Sequence, residues 1–430
     1  MYDVIIIGGG LGYAAAIVLS KAGKKVALIE KDLNHLGGTC LHNGCIPSKN
    51  LLHRAKTLLE LKEDVFEGKA KIELSKLQDK IQNIISSHTK GVTAQLKAAG
   101  VELIEGEGYV IDNGVEVNGK TLEAKNIIIA TGSRPREPKE IEFDYKHIIT
   151  SKEALQFKKV PKEISIYGSG AIGLEMASFF ASIGTKVNLI YRHETISRRF
   201  PETITQKLEE QLKEIGVNLM PNSPIEKAYT KNNKAVMVIN GKEITTEYLL
   251  VAAGRIPNTD VVKTDKISVS KGIDTDEYFE TTMAGVYAVG DCNGKLLLAH
   301  AARAQALNVA NTILGKKEKL ILENIPKFIY TLPLSYASIG TLSSKIAEFP
   351  ISYLGISGSY PGDERGIVRI YADDEGFITG ADVFAPNAEE IIGILSATLA
   401  GEMDIPTLDR AVFPHPTYSE AIDRAIRRFR

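Results

Sequence analysis

Two of the three cysteines in this chain fall within one stretch, GGTCLHNGCIPSK, with four residues between Cys40 and Cys45. Thiols so spaced, behind the pair Gly37–Gly38 and beside Pro47, suit a disulfide across one irregular helical turn, since a bridge needs Cα atoms within about 7 Å. A helix start also lowers a thiol pKa, and the thiolate is the reactive form. Three other readings compete. Zinc would need more ligands, and His42 with His35 makes a poor set; no metal site is expected. An inert buried pair would not account for the glycines. A structural bridge is disfavoured in a reducing cytosol. The chemistry expected is thiol–disulfide exchange.

Such a pair needs an electron source, and the flanking sequence offers one. DVIII (Asp3 to Ile7) reads as a buried strand, GGGLGYAAA as a turn opening a helix to Lys21, and KKVALIE as a second strand ending on Glu30. This is the order of an adenine dinucleotide fingerprint. Gly8 would make the tight turn, Gly10 would let the backbone approach a pyrophosphate, and the helix N-terminus would meet that anion. Glu30, followed by Lys31, would take the ribose hydroxyls. By strict spacing the third glycine falls on Tyr13, so the helix reads as one residue short, with Gly12 or Ala14 making the close packing.

A second unit, EISIYGSGAIGLEMASFFASIGTKVNLIYRH, carries Gly168, Gly170 and Gly173 in full spacing. Where the first unit ends on Glu30, this one reaches Tyr191, then Arg192, Arg198 and Arg199. A carboxylate there favours an unmodified ribose and arginines accommodate a 2′-phosphate, which favours NADP over NAD; the alternative is a solvated basic loop. Further strand-then-glycine segments are NIIIATGSRP, with Thr131 and Gly132, and YLLVAAGRIPN, with Gly254. In GVYAVGDC, Asp291 follows Gly290 at a strand end, where it could reach the ribityl chain of a flavin; Ala299 follows shortly after. The chain therefore reads as crossing repeatedly between two nucleotide domains.

At 430 residues, two or three domains are expected. The 52 basic and 53 acidic residues nearly cancel, which gives no reason to expect nucleic acid or a membrane surface as partner. The first twenty residues lack a basic leader, and glycines interrupt their apolar run, so they read as fold rather than signal or span. A cytoplasmic protein is expected.

With these motifs in order, the sequence resembles the class I pyridine nucleotide–disulfide oxidoreductases, which include dihydrolipoamide dehydrogenase, glutathione reductase and mercuric reductase. The resemblance covers nearly the whole chain and closes on HPTYSE, His415 to Glu420. It implies an α/β fold with two Rossmann-like domains and a C-terminal α+β dimerisation domain. FAD would be held by residues 1–149 with 255–320, NAD(P) by 150–254, and the dimer by 325–430, where IAEFPISYL, GIVRIYAD and GFITGADVF read as strands and Ala388 to Gly401 as a helix. Cys45 is similar to the thiol nearest the flavin, which forms the charge-transfer thiolate. Cys40 resembles the interchange thiol. His415 would be its acid–base partner, donated by the second subunit of a homodimer, with Glu420 orienting it. Lys49 and Glu175 would pair near the flavin. Gly38 and Thr39 would join the flavin site. The substrate implied is a small-molecule or small-protein disulfide or dithiol.

PSK in the signature is closer to dihydrolipoamide dehydrogenase and mercuric reductase than to glutathione reductase, whereas RHETISRR resembles the NADP-binding arginines of glutathione reductase. Phe413 stands where dihydrolipoamide dehydrogenases usually carry another histidine. Ala171 replaces the tyrosine that gates the nicotinamide pocket in glutathione reductase, and YTLPLSYASIG lacks the glutamate usual after its proline. The reading is a dihydrolipoamide dehydrogenase-like enzyme preferring NADPH. A glutathione reductase-like enzyme, a flavin-dependent quinone or oxygen reductase, and a redox-sensing nucleotide-binding protein are the alternatives.

Overall fold

In the computed structural model, which describes residues 1–63 and 65–429, strand Tyr2–Ile7 lies at the centre of a five-stranded parallel sheet. The order is Val286–Ala288, Ala124–Ile129, Tyr2–Ile7, Val26–Glu30, Glu102–Glu105. A parallel sheet is covered on both faces, so its strands need apolar residues at every position rather than at alternate ones. The sequence supplies them. Val4 and Ile6 join one core with Leu19 and Leu28, while Ile5 and Ile7 join another with Ala27 and Ile29. Helices Tyr13–Lys21 and Ala299–Ile313 follow the glycine turn and the GDC segment. The segments Met1–Ser48, Gln78–Arg136 and Gly254–Leu322 make this first unit.

The second unit comprises Lys49–Leu77, Glu137–Ala253 and Glu323–Arg430. Its parallel sheet repeats the scheme: Val217–Met220, Lys186–Ile190, Glu163–Tyr167, Tyr248–Val251, Ile148–Ile149. Its antiparallel sheet is ordered Lys327–Ile329, Ser335–Gly340, Ile378–Ala385, Ile367–Ala372, Lys345–Pro350. The last three of these strands are those expected from the sequence; the first two complete the sheet. Helices Ala388–Ala400 and Glu420–Ile426 pack on it through Ile391, Leu395, Ala421 and Ile422. The mixed α/β class holds. Among the described residues, no helix is long and apolar enough to cross a membrane.

The two nucleotide turns differ by one residue, and packing explains why both work. Gly8 and Gly168 each donate to the neighbouring strand, at Ile29 O (2.8 Å) and Ile190 O (2.9 Å), and both have positive φ. A Cβ on Gly173 would fall 1.8 Å from Gly168 O. In the first turn the crowded position comes one residue sooner: a Cβ on Gly12 would lie 2.6 Å from Ala130 Cβ. Gly12 therefore makes the close helix–strand contact, and the helix starts at once with Tyr13. By contrast, nothing lies within 4 Å of a Cβ on Gly170.

This contrast gives a paired prediction. Gly173→Ala must move the helix off the strand and should cost about 1–3 kcal/mol in denaturant melts. Gly170→Ala should leave the melt unchanged but weaken nicotinamide nucleotide binding in a fluorescence titration. Equal destabilisation by both would refute the assignment.

Candidate active site

The cysteine segment forms two helices meeting at Gly44: Gly38–Asn43, which holds Cys40, and Cys45–Glu60, of which residues Cys45 to Ser48 belong to the first unit. The irregular turn suited to the pair is this junction. A Cβ on Gly44 would lie 2.9 Å from Thr39 O, so a side chain there would force the helices apart. Pro47 falls in the first turn of its helix, where a missing N–H costs nothing. The segment also rests directly on the dinucleotide turn: a Cβ on Gly38 would come 2.8 Å from Gly10 Cα. Thr39, next to it, is exposed.

Glu30 ends its strand with its carboxylate over that turn, accepting from Gly9 N at 2.5 Å. Lys31 points elsewhere, to Glu107 (2.5 Å). Thr131 and Asn258 clasp the two crossing segments reciprocally: Thr131 Oγ1 donates to Asn258 O (2.7 Å), and Asn258 Nδ2 donates to Thr131 O (2.8 Å). Gly132 N–Cα has positive φ, and its carbonyl accepts from Asn258 N. Gly254 O accepts from Arg136 N (2.9 Å) beside this clasp. Gly290 N donates to Gln305 Oε1 (2.8 Å), which docks the GDC turn on the helix that Ala299 opens. His42 is engaged with Leu36 O (3.1 Å) and Thr89 (3.3 Å).

Sequence reasoning missed what holds Asp291. Its Oδ2 accepts from Ser133 Oγ at 2.5 Å, and Ser133 in turn accepts from Arg255 at both its hydroxyl (2.6 Å) and its carbonyl (2.5 Å). Burial pulls the Arg255 pKa below its usual value, while Asp291 and Cys45 pull it back. Arg255 thus brings positive charge within electrostatic reach of Cys45. Its only signal in the sequence was its place directly after Gly254.

In the second unit, Lys49 Nζ donates to both oxygens of Glu175, at 2.6 and 2.7 Å. Glu175 is buried on helix Ala171–Ser182, just past the second glycine turn, and also accepts from Tyr330 N at 3.0 Å. The rings of Phe328 and Tyr330 flank the ammonium, each centroid 5.7 Å away. Lys49 lies one turn after Cys45 on their common helix. Tyr191 follows Ile190 as Glu30 follows Ile29, so the strand register makes the two positions equivalent. Tyr191 is buried, its pKa pushed up to about 12 by burial and then by Glu209. Arg192 and Arg198 are exposed on the loop beyond it. Ser169 Oγ, within the glycine turn, donates to Ile196 O (2.7 Å) and ties that loop to the turn.

Also in this unit, His415 Nδ1 stands 3.0 Å from Glu420 Oε2 and 3.2 Å from Oε1. The carboxylate is buried and takes Thr417 N as well (2.8 Å), whereas the imidazole is 73% exposed. Burial raises the Glu420 pKa, but the bonds from His415 and Thr417 outweigh it and leave the carboxyl below its ordinary value.

The family model described as pyridine nucleotide-disulphide oxidoreductase matches residues 2–306, and that described as its dimerisation domain matches 326–426. The dihydrolipoyl dehydrogenase of Bacillus subtilis is 34% identical, covering 98% of this chain and 97% of its own. That of Mycoplasma genitalium is 32% identical over 98% and 97%. Among solved structures, LpdA from Mycobacterium tuberculosis superposes with a TM-score of 0.92 at 24% identity over the whole of both chains. The HOCl-induced flavoprotein disulfide reductase RclA from Escherichia coli gives 0.88 at 23% over 99% of each.

A carboxylate with a depressed folded pKa adds stability that is full above its unfolded value and is lost as pH falls through the folded one. From about pH 4.5 downward, the unprotonated Glu420 pairing should therefore fail. Glu420→Gln should flatten that acid limb in pH-resolved thermal melts. Identical limbs in variant and wild type would show that the pairing contributes nothing.

Proposed function

The chain belongs to the pyridine nucleotide-disulphide oxidoreductase family and is a dihydrolipoamide dehydrogenase-like, FAD-dependent disulfide oxidoreductase; from that premise we propose how its residues divide the work. Gly8, Gly10, Gly12, Gly38, Thr39, Gly132, Gly290 and the Ala299 helix end would line the flavin site by their backbones, with Glu30 and Asp291 as carboxylate acceptors. The fit is supported by Gly10, where a Cβ would find its first neighbour only at 4.0 Å, leaving backbone open to a pyrophosphate. Lys31 and Thr131 already have side-chain partners and would offer main chain only. When bound, FAD supplies the two-electron exchange between nicotinamide and the thiol pair.

The exchange itself falls to this chain. The Cys40 thiolate attacks an external disulfide, forming a mixed disulfide and expelling one thiolate. His415 gives that thiolate its proton. Cys45 then gives its proton to His415 and attacks the Cys40 sulfur, closing Cys40–Cys45 and expelling the second thiolate, to which His415 returns that proton. One external disulfide has become two thiols, and the enzyme's dithiol a disulfide. Run backward, a dihydrolipoamide-type dithiol is oxidised. Glu420 holds Nδ1 and so leaves Nε2 to carry the proton. The half-buried Lys49–Glu175 pair would stand by the flavin as a fixed charge pair. His415 would come from the second copy of a homodimer, which the matched dimerisation domain supports. The observation that carries the reading is the seating of Gly38 on Gly10, which starts the cysteine helix on the dinucleotide turn. Cysteine usage supports a cytoplasmic location.

The proposed nicotinamide is NADP(H), a departure from lipoamide dehydrogenases, which typically use NAD. Tyr191 removes the carboxylate that would hold an unmodified ribose, and Gly168, Gly170 and Gly173 would cradle the pyrophosphate with Arg192 and Arg198 nearby. The same arginines favour the glutathione reductase-like reading, so both the nucleotide and the disulfide must be varied. In a matrix of NADH and NADPH against lipoamide and oxidised glutathione, NADPH with lipoamide should give the highest kcat/KM. Arg192→Ala should lower kcat/KM for NADPH about 10- to 100-fold, as for loss of a charge-assisted bond, and change NADH less than about threefold. Equal losses would remove the phosphate site. Preference for glutathione would replace the substrate.

A further inference from the structure

We propose that Tyr418, anchored by the buried carboxylate of Asp363, is a positioning residue for His415; the inference rests on the acid–base role given to His415 above. Asp363 is 0% exposed. A carboxylate taken out of water must have its lone pairs filled. Four neutral donors fill them: Gly358 N (2.8 Å), Ser357 Oγ (3.2 Å), Tyr360 N (3.3 Å) and Tyr418 Oη (2.6 Å). Three of these come from the loop between Leu354 and Gly366. The fourth reaches in from the turn that carries His415 and Glu420. Asp363 is therefore a knot joining the two segments.

The joined loop runs beside the imidazole. A Cβ built on Gly355 would lie 3.5 Å from His415 Cε1, so the loop backbone passes along that edge of the ring. Glu420 holds the Nδ1 edge. Two neighbouring edges are thus braced, which leaves Nε2 for proton exchange. Glu420 alone fixes the tautomer but permits the ring to swing about its hydrogen bond. The loop restricts that swing, and Tyr418 fixes how far the loop stands from the turn. Its ring packs on the C-terminal core, as do Phe413 and Ile356. Burial and the bond to Asp363 push the Tyr418 pKa well above the ordinary phenol value, so it remains a donor. An acid–base group must be within a few tenths of an ångström of its target to be effective. The bond from Tyr418 to Asp363 supplies part of that precision.

Tyr418→Phe keeps the ring and deletes the hydroxyl. In the FAD-loaded protein, stopped-flow reduction by dihydrolipoamide should slow about tenfold, in line with one lost bond to a carboxylate. Exchange with the nicotinamide should change less than about twofold, because it does not use His415. Ser357→Ala removes a different Asp363 donor from the loop side and should give a smaller loss of the same kind, again confined to the dithiol step. An unchanged dithiol rate in Tyr418→Phe would overturn the proposal. So would equal slowing of both steps, which marks a general structural defect. His415→Gln is the control for the parent reading: full dithiol activity in that variant would sink the role of His415 itself, and the brace with it. Loss in His415→Gln with none in Tyr418→Phe would sink the brace alone.

Discussion

The contact on which the first unit depends is one of backbone on backbone. Gly38 sits against Gly10 with no side chain between them, since a Cβ would come to 2.8 Å of the facing Cα. Parallel strands bring their C-terminal ends to one edge of the sheet, and ligands of such sheets gather outside that edge. There Ile7 gives way to Gly8, Ile29 to Glu30, Ile129 to Ala130, and Ala288 to the Gly290 turn. The helix carrying Cys40 can begin at this edge only if its first residues take almost no room. Gly37 and Gly38, both at positive φ, meet that condition. The glycines ahead of Cys40 thus belong to the packing of the nucleotide turn as much as to the thiols.

Charge is handled by the same economy in each unit. Lys49 is held by a two-oxygen bond to Glu175 and walled by two rings. Arg255 is held by both oxygens of Ser133, which passes the hydrogen bond on to Asp291. A partly buried ion pair gains little net stability against its desolvation, but losing one partner strands the other. Such pairs are better understood as fixing where charge sits. In the first unit, Arg255 lies within electrostatic reach of Cys45.

Much of this was legible in the sequence, and the boundary is informative. Strands buried on both faces announce themselves as apolar runs, and glycine spacing marks the turns. Even the displaced third glycine was legible as a choice between Gly12 and Ala14, which the Ala130 contact resolves. The equivalence of Glu30 and Tyr191 followed from alignment of the two motifs and reappears in the register. What escaped were side chains defined by distant partners. Ser133 is 158 residues from Asp291, and Tyr330 is 155 from Glu175. Both fall in segments the sequence marks, NIIIATGSRP and YTLPLSYASIG, but nothing local in those segments names the distant partner, and Tyr330 acts through a backbone N–H, which every residue but proline has. Lys31 shows the reverse case: adjacency to Glu30 made it a candidate, yet its ammonium turns to Glu107.

The relay motif raises a further point about exposure. Glu420 is buried and saturated, yet the imidazole it orients is 73% exposed, and Val412 just before it is 95% exposed. In isolation that is poor design for proton transfer, because solvent competes for Nε2 and screens the carboxylate's influence. The arrangement becomes economical if a second surface covers the imidazole, since burial would then fall on a ring whose tautomer is already set. The cost of orienting His415 is met inside one fold, and only desolvation is left to assembly. This is the division of labour expected of a shared active site: the proposed second copy would gain a finished acid–base group rather than having to build one.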